Sequence, residues 1–228
     1  MDYQRVNQTK NEYFPLMLNL SNRLCVIVGG GKVATRKILS LIEFGARVKV
    51  ISPEVDKKIE ELARQEMIIW FNRIYQTGDL EGARLAFACT DDIEVNEQVA
   101  LEGKKLNVLT NIATSGNQSD FILPASVRRG DLVVSVSTQG RCPALARKLR
   151  MELEEHFIGE WEAYLKALEF VRRKLAEKIE DSGTRGAILR QITSDQELLK
   201  KFSKASKENA IQYLDEIIDN GGRHRDEL

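Results

Sequence analysis

The 228-residue chain is predicted to be α/β, with an N-terminal parallel sheet, a small strand-containing connector and a C-terminal helical domain. Three observations carry this reading. Strand-like and helix-like stretches alternate from Leu16 to Ala113, the pattern of βαβ units. The first apolar run, Leu24–Val28, is continuous rather than alternating, as a strand buried on both faces requires. From Pro143 onward the pattern is helical and carries no further strand.

The elements follow in order. After the Leu24–Val28 strand, Val33 to Phe44 places Val33, Ile38, Leu41 and Ile42 on one helical stripe, and Gly45 ends the helix. Val48–Ile51 is the second strand. Pro53 is expected to open a helix with Val55, Ile59 and Leu62 on its inner side. Met67–Phe71 and Leu85–Cys89 read as strands, Ile93–Lys105 as a helix and Val108–Ile112 as a strand. A polar loop, Thr114 to Ser119, then changes the pattern. Phe121–Val127 and Leu132–Thr138 flank Arg128-Arg129-Gly130-Asp131 as an antiparallel hairpin. The helical remainder is expected to break near Gly159, Ser182-Gly183 and Ser203 to Ser206. The domains are accordingly 1–113, 114–145 and 146–228.

Composition narrows the function classes. Apolar residues make up 43% and charged residues 30% of the chain, which is globular rather than disordered. Net charge is zero, so electrostatic nucleic-acid binding is not expected. No apolar run reaches membrane-spanning length, and Met1 to Lys10 lacks a signal-peptide core, so a cytoplasmic location is expected. Arg225-Asp226-Glu227-Leu228 is similar to an ER-retention tetrapeptide, an address without effect unless the chain first enters the secretory pathway. Cys25, Cys89 and Cys142 lie far apart and form no Cys/His cluster, so no metal site is expected and a reducing compartment is.

The strongest chemical signal is Gly29-Gly30-Gly31-Lys32-Val33-Ala34. It leaves a buried strand and opens a helix, the context that a dinucleotide-binding Rossmann turn requires. Gly29 makes the tight turn, Gly31 lets a pyrophosphate approach the backbone, and Ala34 replaces the third glycine where helix and strand pack closely. Helix N–H groups and the dipole attract the phosphates. At the end of the second strand, Ser52, Pro53 and Glu54 hold the ribose position, while Arg36 and Lys37 keep a 2′-phosphate open. Glu54 also suits a first helical turn. Thr90, Asp91 and Asn111 stand at carboxyl ends of strands, where ligands of open α/β sheets bind; Asp91 and Asp92 equally suit a helix N-cap. Between Asp120 and Arg150 lie Arg128, Arg129, Arg141, Arg147, Lys148 and Arg150 against Asp120 and Asp131, a local net charge of +4. Such a region suits a polyanionic substrate, or for the helical members a solvated face.

Taken together, Tyr13-Phe14-Pro15-Leu16, the Val28 to Arg36 loop, Gly45-Ala46-Arg47, Thr90-Asp91-Asp92 with Asn96, and Val136-Ser137-Thr138-Gln139-Gly140 leading to Pro143 and Ala146-Arg147 resemble the precorrin-2 dehydrogenase family. That family includes the dehydrogenase–chelatase module of siroheme synthases. The resemblance implies NAD-dependent oxidation of precorrin-2 to sirohydrochlorin by a homodimer whose connector pairs the subunits. It also implies a helical domain that helps enclose the tetrapyrrole. Family cofactor contacts carry over to Lys32, Val33, Pro53 and Glu54, and the Arg128, Arg129, Arg141 and Arg147 side chains are expected to meet substrate carboxylates. One departure stands out. Family members carry an aspartate, the favoured base or chelatase carboxylate, where this chain has Asn111-Ile112-Ala113-Thr114. A threonine cannot act as a base near neutral pH, which makes Asp120 the candidate catalytic residue, although it also suits a loop-organising role. The same substitution argues against the alternative of a sirohydrochlorin ferro- or cobaltochelatase. A non-enzymatic dinucleotide sensor is the remaining alternative. His156 and His224 are expected to be structural.

Overall fold

The computed structural model describes residues 12–114, 118–156 and 161–223. The middle of the polar loop, the break at Gly159, His224 and the terminal tetrapeptide lie outside the described residues, as do the first eleven residues. The chain divides into two compact units: one runs to Leu123 and includes Gln139–Arg141, and the other comprises Pro124–Thr138 and the chain from Cys142 onward.

In the first unit, strands β1 (Leu24–Val28), β2 (Arg47–Ile51), β3 (Ile69–Phe71), β4 (Leu85–Ala88) and β5 (Leu109–Ile112) alternate with helices α1 (Lys32–Glu43), α2 (Lys57–Arg64) and α3 (Ile93–Leu106). The sheet order is β3-β2-β1-β4-β5 and every pairing is parallel. The alternation of side chains explains the unbroken apolar run of β1. Cys25 and Ile27 join the core with α1 and α2, whereas Val26 and Val28 join the core with α3. Both faces are covered, so a polar residue has no place in this strand. Burial pushes the Cys25 thiol up to about 11, so it packs as a small neutral hydrophobe.

The buried face of α1 and the start of α2 differ from expectation. The buried stripe of α1 is Ala34, Ile38 and Leu41; Val33 instead stands at the rim, 38% exposed. Helix α2 begins at Lys57 rather than Pro53, because Asp56 accepts the Lys58 N–H at 3.1 Å and caps it. Ser52 to Val55 form a turn, closed by the Ser52 hydroxyl donating to the Glu54 carbonyl at 2.6 Å. Glu54 is therefore no first-turn helix carboxylate. As expected, Asp92 caps α3, accepting from the Glu94 and Val95 N–H groups.

No helix connects β3 to β4. The connection is instead held by buried polar contacts. Glu102 of α3 accepts the Tyr75 hydroxyl and the backbone N–H groups of Gly78 and Leu80 at 2.9 and 3.3 Å. Burial, with the Glu102 carboxylate beside it, holds the Tyr75 phenol far above its ordinary pKa, so it remains a donor. Arg73 grips Asp79 through both guanidinium nitrogens at 2.7 and 2.6 Å. Burial acts to raise the Asp79 pKa, but hydrogen bonds from Arg73 and the Gln76 N–H hold it below the usual carboxylate value.

The second unit contains an antiparallel hairpin, β6 (Ala125–Arg129) and β7 (Leu132–Val136). Its tip is Gly130-Asp131, with Gly130 at φ +58°, so Arg128 and Arg129 lie in the strand and not in the turn. Helices α4 (Pro143–His156), α5 (Trp161–Lys178), α6 (Ser182–Ser194), α7 (Gln196–Lys204) and α8 (Lys207–Arg223) follow. Val171, Leu175, Ile188, Ile192, Phe202 and Leu214 form the core of α5 to α8. The helix break expected near Ser182-Gly183 falls just before them, between Lys178 and Ser182, where Asp181 caps α6 by accepting the Thr184 N–H. A break missed in the sequence falls at Asp195, which caps α7. Among the described residues, no helix is long and apolar enough to cross a membrane.

Removing the Glu102 carboxylate strands three donors under α3. Glu102→Ala is expected to cost about 3 kcal/mol or more, judged by the price of unsatisfied buried groups, and urea unfolding measures it. Asp79, whose pKa is depressed by folding, stabilises above the unfolded carboxylate pKa and loses that contribution below about pH 4. Asp79→Asn is therefore expected to lower stability at pH 7 and to flatten its fall on acidification, read from melting temperatures across pH 2–7.

Candidate active site at the carboxyl edge of the sheet

Strands β1 and β4 are neighbours, but the chain runs outward from them in opposite directions, so their carboxyl ends open a crevice. Gly29 follows β1 directly. Its φ of +114° and the Cys89 carbonyl, 2.5 Å from where a Cβ would sit, leave room for glycine alone. Its N–H donates to the Ile51 carbonyl at 2.9 Å, joining the turn to the end of β2. Gly30 is as tightly confined. A Cβ there would lie 2.0 Å from the Glu54 carbonyl oxygen and 2.8 Å from Val55 Cα. The Asp56 N–H closes the same corner by donating to the Gly30 carbonyl at 2.8 Å.

Gly31 differs from both. It is the N-cap of α1, with φ −82° and no side-chain capping bond, and the first turn carries no acid. A Cβ at Gly31 would meet nothing within 4 Å. The protein's own packing therefore does not require glycine there. The open space, uncapped N–H groups and uncompensated helix dipole fit the pyrophosphate of a dinucleotide. Lys32 and Val33 occupy the exposed first turn beside it.

Pro53 and Glu54 are exposed at the end of β2, while Ser52 is buried with its hydroxyl committed to the turn. Thr90 and Asp91 stand beyond β4. The Thr90 hydroxyl bonds the backbone of Asp92, and Asp91 is exposed. Lys37 lies away from the β2 end, where a ribose 2′-phosphate would sit. Its ammonium donates to Asn111 on β5 at 2.8 Å and stands 4.8 Å from the Phe87 ring centroid. Burial lowers its pKa below the ordinary lysine value. Asn111 completes this contact by donating to the Phe121 carbonyl at 2.9 Å. Burial pushes the nearby Cys89 thiol up to about 11, against the opposing pull of Lys37.

Asp120 lies beside β5 at Thr110, accepting both its backbone N–H and its hydroxyl at 2.8 Å. Thr114 stands at the carboxyl edge itself, exposed, with its hydroxyl oxygen accepting from the Asn96 side-chain amide at 3.1 Å. In the sequence Asn96 entered only through the resemblance, beside Thr90-Asp91-Asp92, and its contact with Thr114 was not foreseen.

The cationic region is less free than its charge count implies. Arg128 Nε donates to the Gly130 carbonyl at 2.9 Å. Arg129 lies 3.9 Å from the Glu154 carboxylate, which Arg150 also binds. Lys148 pairs with Glu152 at 3.6 Å. The positive excess counted up to Arg150 is thus partly cancelled by acids one helical turn further on. Arg141 and Arg147 are exposed, and neither has an ion pair among the described residues. No group of three or more His, Cys, Asp or Glu side chains among the described residues could hold a metal ion.

Residues 16–125 match a family model described as "Putative NAD(P)-binding". The chain is 38% identical over 143 residues to a siroheme synthase of Chromobacterium violaceum, covering 63% of this chain and 30% of that protein. It is 31% identical over 210 residues to siroheme synthase 1 of Aeromonas salmonicida, covering 91% of this chain and 44% of the relative. The chain therefore spans less than half the length of these relatives. Among solved structures it matches "SirC, precorrin-2 dehydrogenase" with a TM-score of 0.73 and 24% identity, over 90% of this chain and 100% of that one. That likeness establishes the shared fold.

The three glycines are expected to respond differently to substitution. Gly30→Ala should destabilise the fold by more than 2 kcal/mol, of the order found when packed backbone is forced apart. Gly31→Val should leave the melting temperature within a few degrees yet weaken dinucleotide binding by roughly 2 kcal/mol. Calorimetric titration with NAD and thermal melts of the same samples check both.

Proposed function

We propose that this chain acts as a precorrin-2 dehydrogenase, oxidising precorrin-2 to sirohydrochlorin with NAD as the hydride acceptor; its likeness to siroheme synthases over 91% of its length supports the reading. The single observation that carries the reading is the vacant space over Gly31 at an uncapped helix N-terminus. On this reading the N–H groups of Lys32 and Val33 hold the pyrophosphate, and Pro53 and Glu54 bound the adenosine ribose. The exposed Glu54 carboxylate favours an unphosphorylated ribose by charge, and Lys37 is committed elsewhere, so NAD is the expected form. Thr90 and Asp91 border the nicotinamide end, with Asn111 fixed behind them.

When bound, the cofactor accepts a hydride from the macrocycle, which also loses a proton. The protein's share is to orient the two reactants and exclude water between them. A base role for Asp120 would require its carboxylate to release Thr110. Its present bonds favour a clasp on β5, and the reading assigns no proton acceptor among the side chains. Arg141 and Arg147 are the cations free to meet substrate carboxylates, with Arg128 and Arg129 supporting the hairpin beside them in sequence. Residues 1–113 act as the dinucleotide domain, 114–145 as the connector and 146–228 as the helical domain.

The same reading takes the protein to be a cytoplasmic homodimer. A two-stranded sheet leaves both outer strand edges without strand partners, and pairing through the connector would cover them.

Mixing the purified protein with fresh precorrin-2 and NAD is expected to generate NADH together with the sirohydrochlorin spectrum. No NADH from intact substrate would overturn the reading. Ferrous or cobaltous ion offered with sirohydrochlorin is expected to insert no faster than without protein, because position 114 carries no carboxylate. Protein-dependent insertion, followed by absorbance, would restore the chelatase alternative.

A further inference from the structure

We infer that the Thr114 hydroxyl, held by the Asn96 side-chain amide, donates a hydrogen bond to a carbonyl or carboxylate oxygen of the ligand in the carboxyl-edge crevice. The inference rests on the dehydrogenase reading for the identity of the ligands, and on local geometry for the rest.

The direction of each hydrogen bond is fixed by chemistry. Asn96 Nδ2 lies 3.0 Å from the Thr90 carbonyl oxygen, which can only accept, so the amide cannot be turned the other way. The second hydrogen of the same nitrogen goes to Thr114 Oγ1 at 3.1 Å. Thr114 therefore accepts from the protein, and its own proton must point elsewhere. No acceptor for that proton occurs among the described residues, and the side chain is exposed.

Its position is equally defined. Ala113 N–H donates to the Ala88 carbonyl at 2.9 Å, so the chain continues sheet pairing past the end of β5. Thr114 thus stands beside the end of β4, near Thr90, on the edge where ligands of this fold lie. Asn96 itself is 1% exposed, and its Oδ1 is the one buried side-chain polar atom without a partner among the described residues. A leucine or valine would fill the stripe of Val99, Ala100 and Gly103 without that cost. The amide makes two contacts that an apolar side chain could not, one holding the Thr90 carbonyl after β4 and one fixing the Thr114 hydroxyl.

A threonine hydroxyl does not ionise in the working range, so this group binds and orients without taking the proton. Thr114→Val deletes the donor and keeps the shape. It is expected to weaken binding of one ligand about tenfold, the size of one good hydrogen bond, without altering the shape of the kcat/KM pH profile. Thr114→Ser is expected to restore binding to within about twofold. Fluorescence titration with NADH alone and steady-state KM for precorrin-2 separate the two acceptors. A raised NADH Kd assigns the cofactor carboxamide, whereas a raised KM with unchanged NADH Kd assigns a substrate carboxylate. In an Asn96→Ala background, Thr114→Val should have little further effect.

Unchanged NADH Kd and KM in Thr114→Val overturn the inference, as does a Thr114→Ser protein as impaired as the valine variant. Wild-type turnover is measured alongside. If the wild type oxidises no precorrin-2, the dehydrogenase reading fails by itself, and the NADH titration alone then decides for or against Thr114.

Discussion

The close approach of the Ser52–Val55 turn to Gly30 is the constraint on which the candidate site depends. Gly29 must take a left-handed φ against the Cys89 carbonyl, and Gly30 must lack a side chain beneath the Glu54 carbonyl. Together these contacts set where α1 begins and where its N–H groups point. Once that corner is built, Gly31 has no structural reason to be glycine. Its missing side chain makes sense through a ligand whose phosphates need the space. Structural and functional glycines therefore stand side by side, and the open volume around each tells them apart.

The same corner shows how far local sequence signals reach. The β1 run and the glycine turn were legible because burial and φ preference act within a few residues. The start of α2 was not. Proline ordinarily suits a first helical turn, but the Asp56 N–H is drawn to Gly30, and the residues between Ser52 and Asp56 are spent on the approach. Asn96, Lys37 and Glu102 were equally hidden as pairings, because their partners Thr114, Asn111 and Tyr75 lie far away in the chain. A polar residue on an apolar helical stripe is the visible trace of such a pairing, and in α3 both Asn96 and Glu102 fit it. The break at Asp195 was missed although an aspartate followed by glutamine and glutamate is a plain N-cap pattern.

Strand β5 lies at the sheet edge, where unpaired backbone donors invite wrong pairing. The segment after the polar loop deals with this by covering it. Asp120 takes the Thr110 N–H, Ser119 takes the Ile112 N–H, and Asn111 holds the Phe121 carbonyl. Lys37 then ties α1 to the same group. The helix that presents the glycine corner and the strand that presents Thr114 are therefore joined by one buried polar chain, with Phe87 and Phe121 packed edge to face beneath it. Both sides of the crevice share a rigid support, as the proposed hydride transfer would require.

Two kinds of recognition follow from the charge distribution. At the glycine corner, attraction comes from backbone N–H groups and a helix dipole acting at contact distance. In the second unit, Glu152 and Glu154 pair with three of the six cations that the sequence count gathers, Arg129, Lys148 and Arg150, and formal charges left unpaired, such as Arg147, are exposed. Exposed charges are screened within about 10 Å at 0.1 M salt, whereas contacts made by a shaped backbone cradle are screened much less. If the ligand is the polycarboxylate proposed, few exposed arginines would hold it, and its selectivity would come from shape and from oriented donors such as the one inferred at Thr114. On the proposed function, that division would let a chain of zero net charge serve an acidic macrocycle without becoming a general polyanion binder.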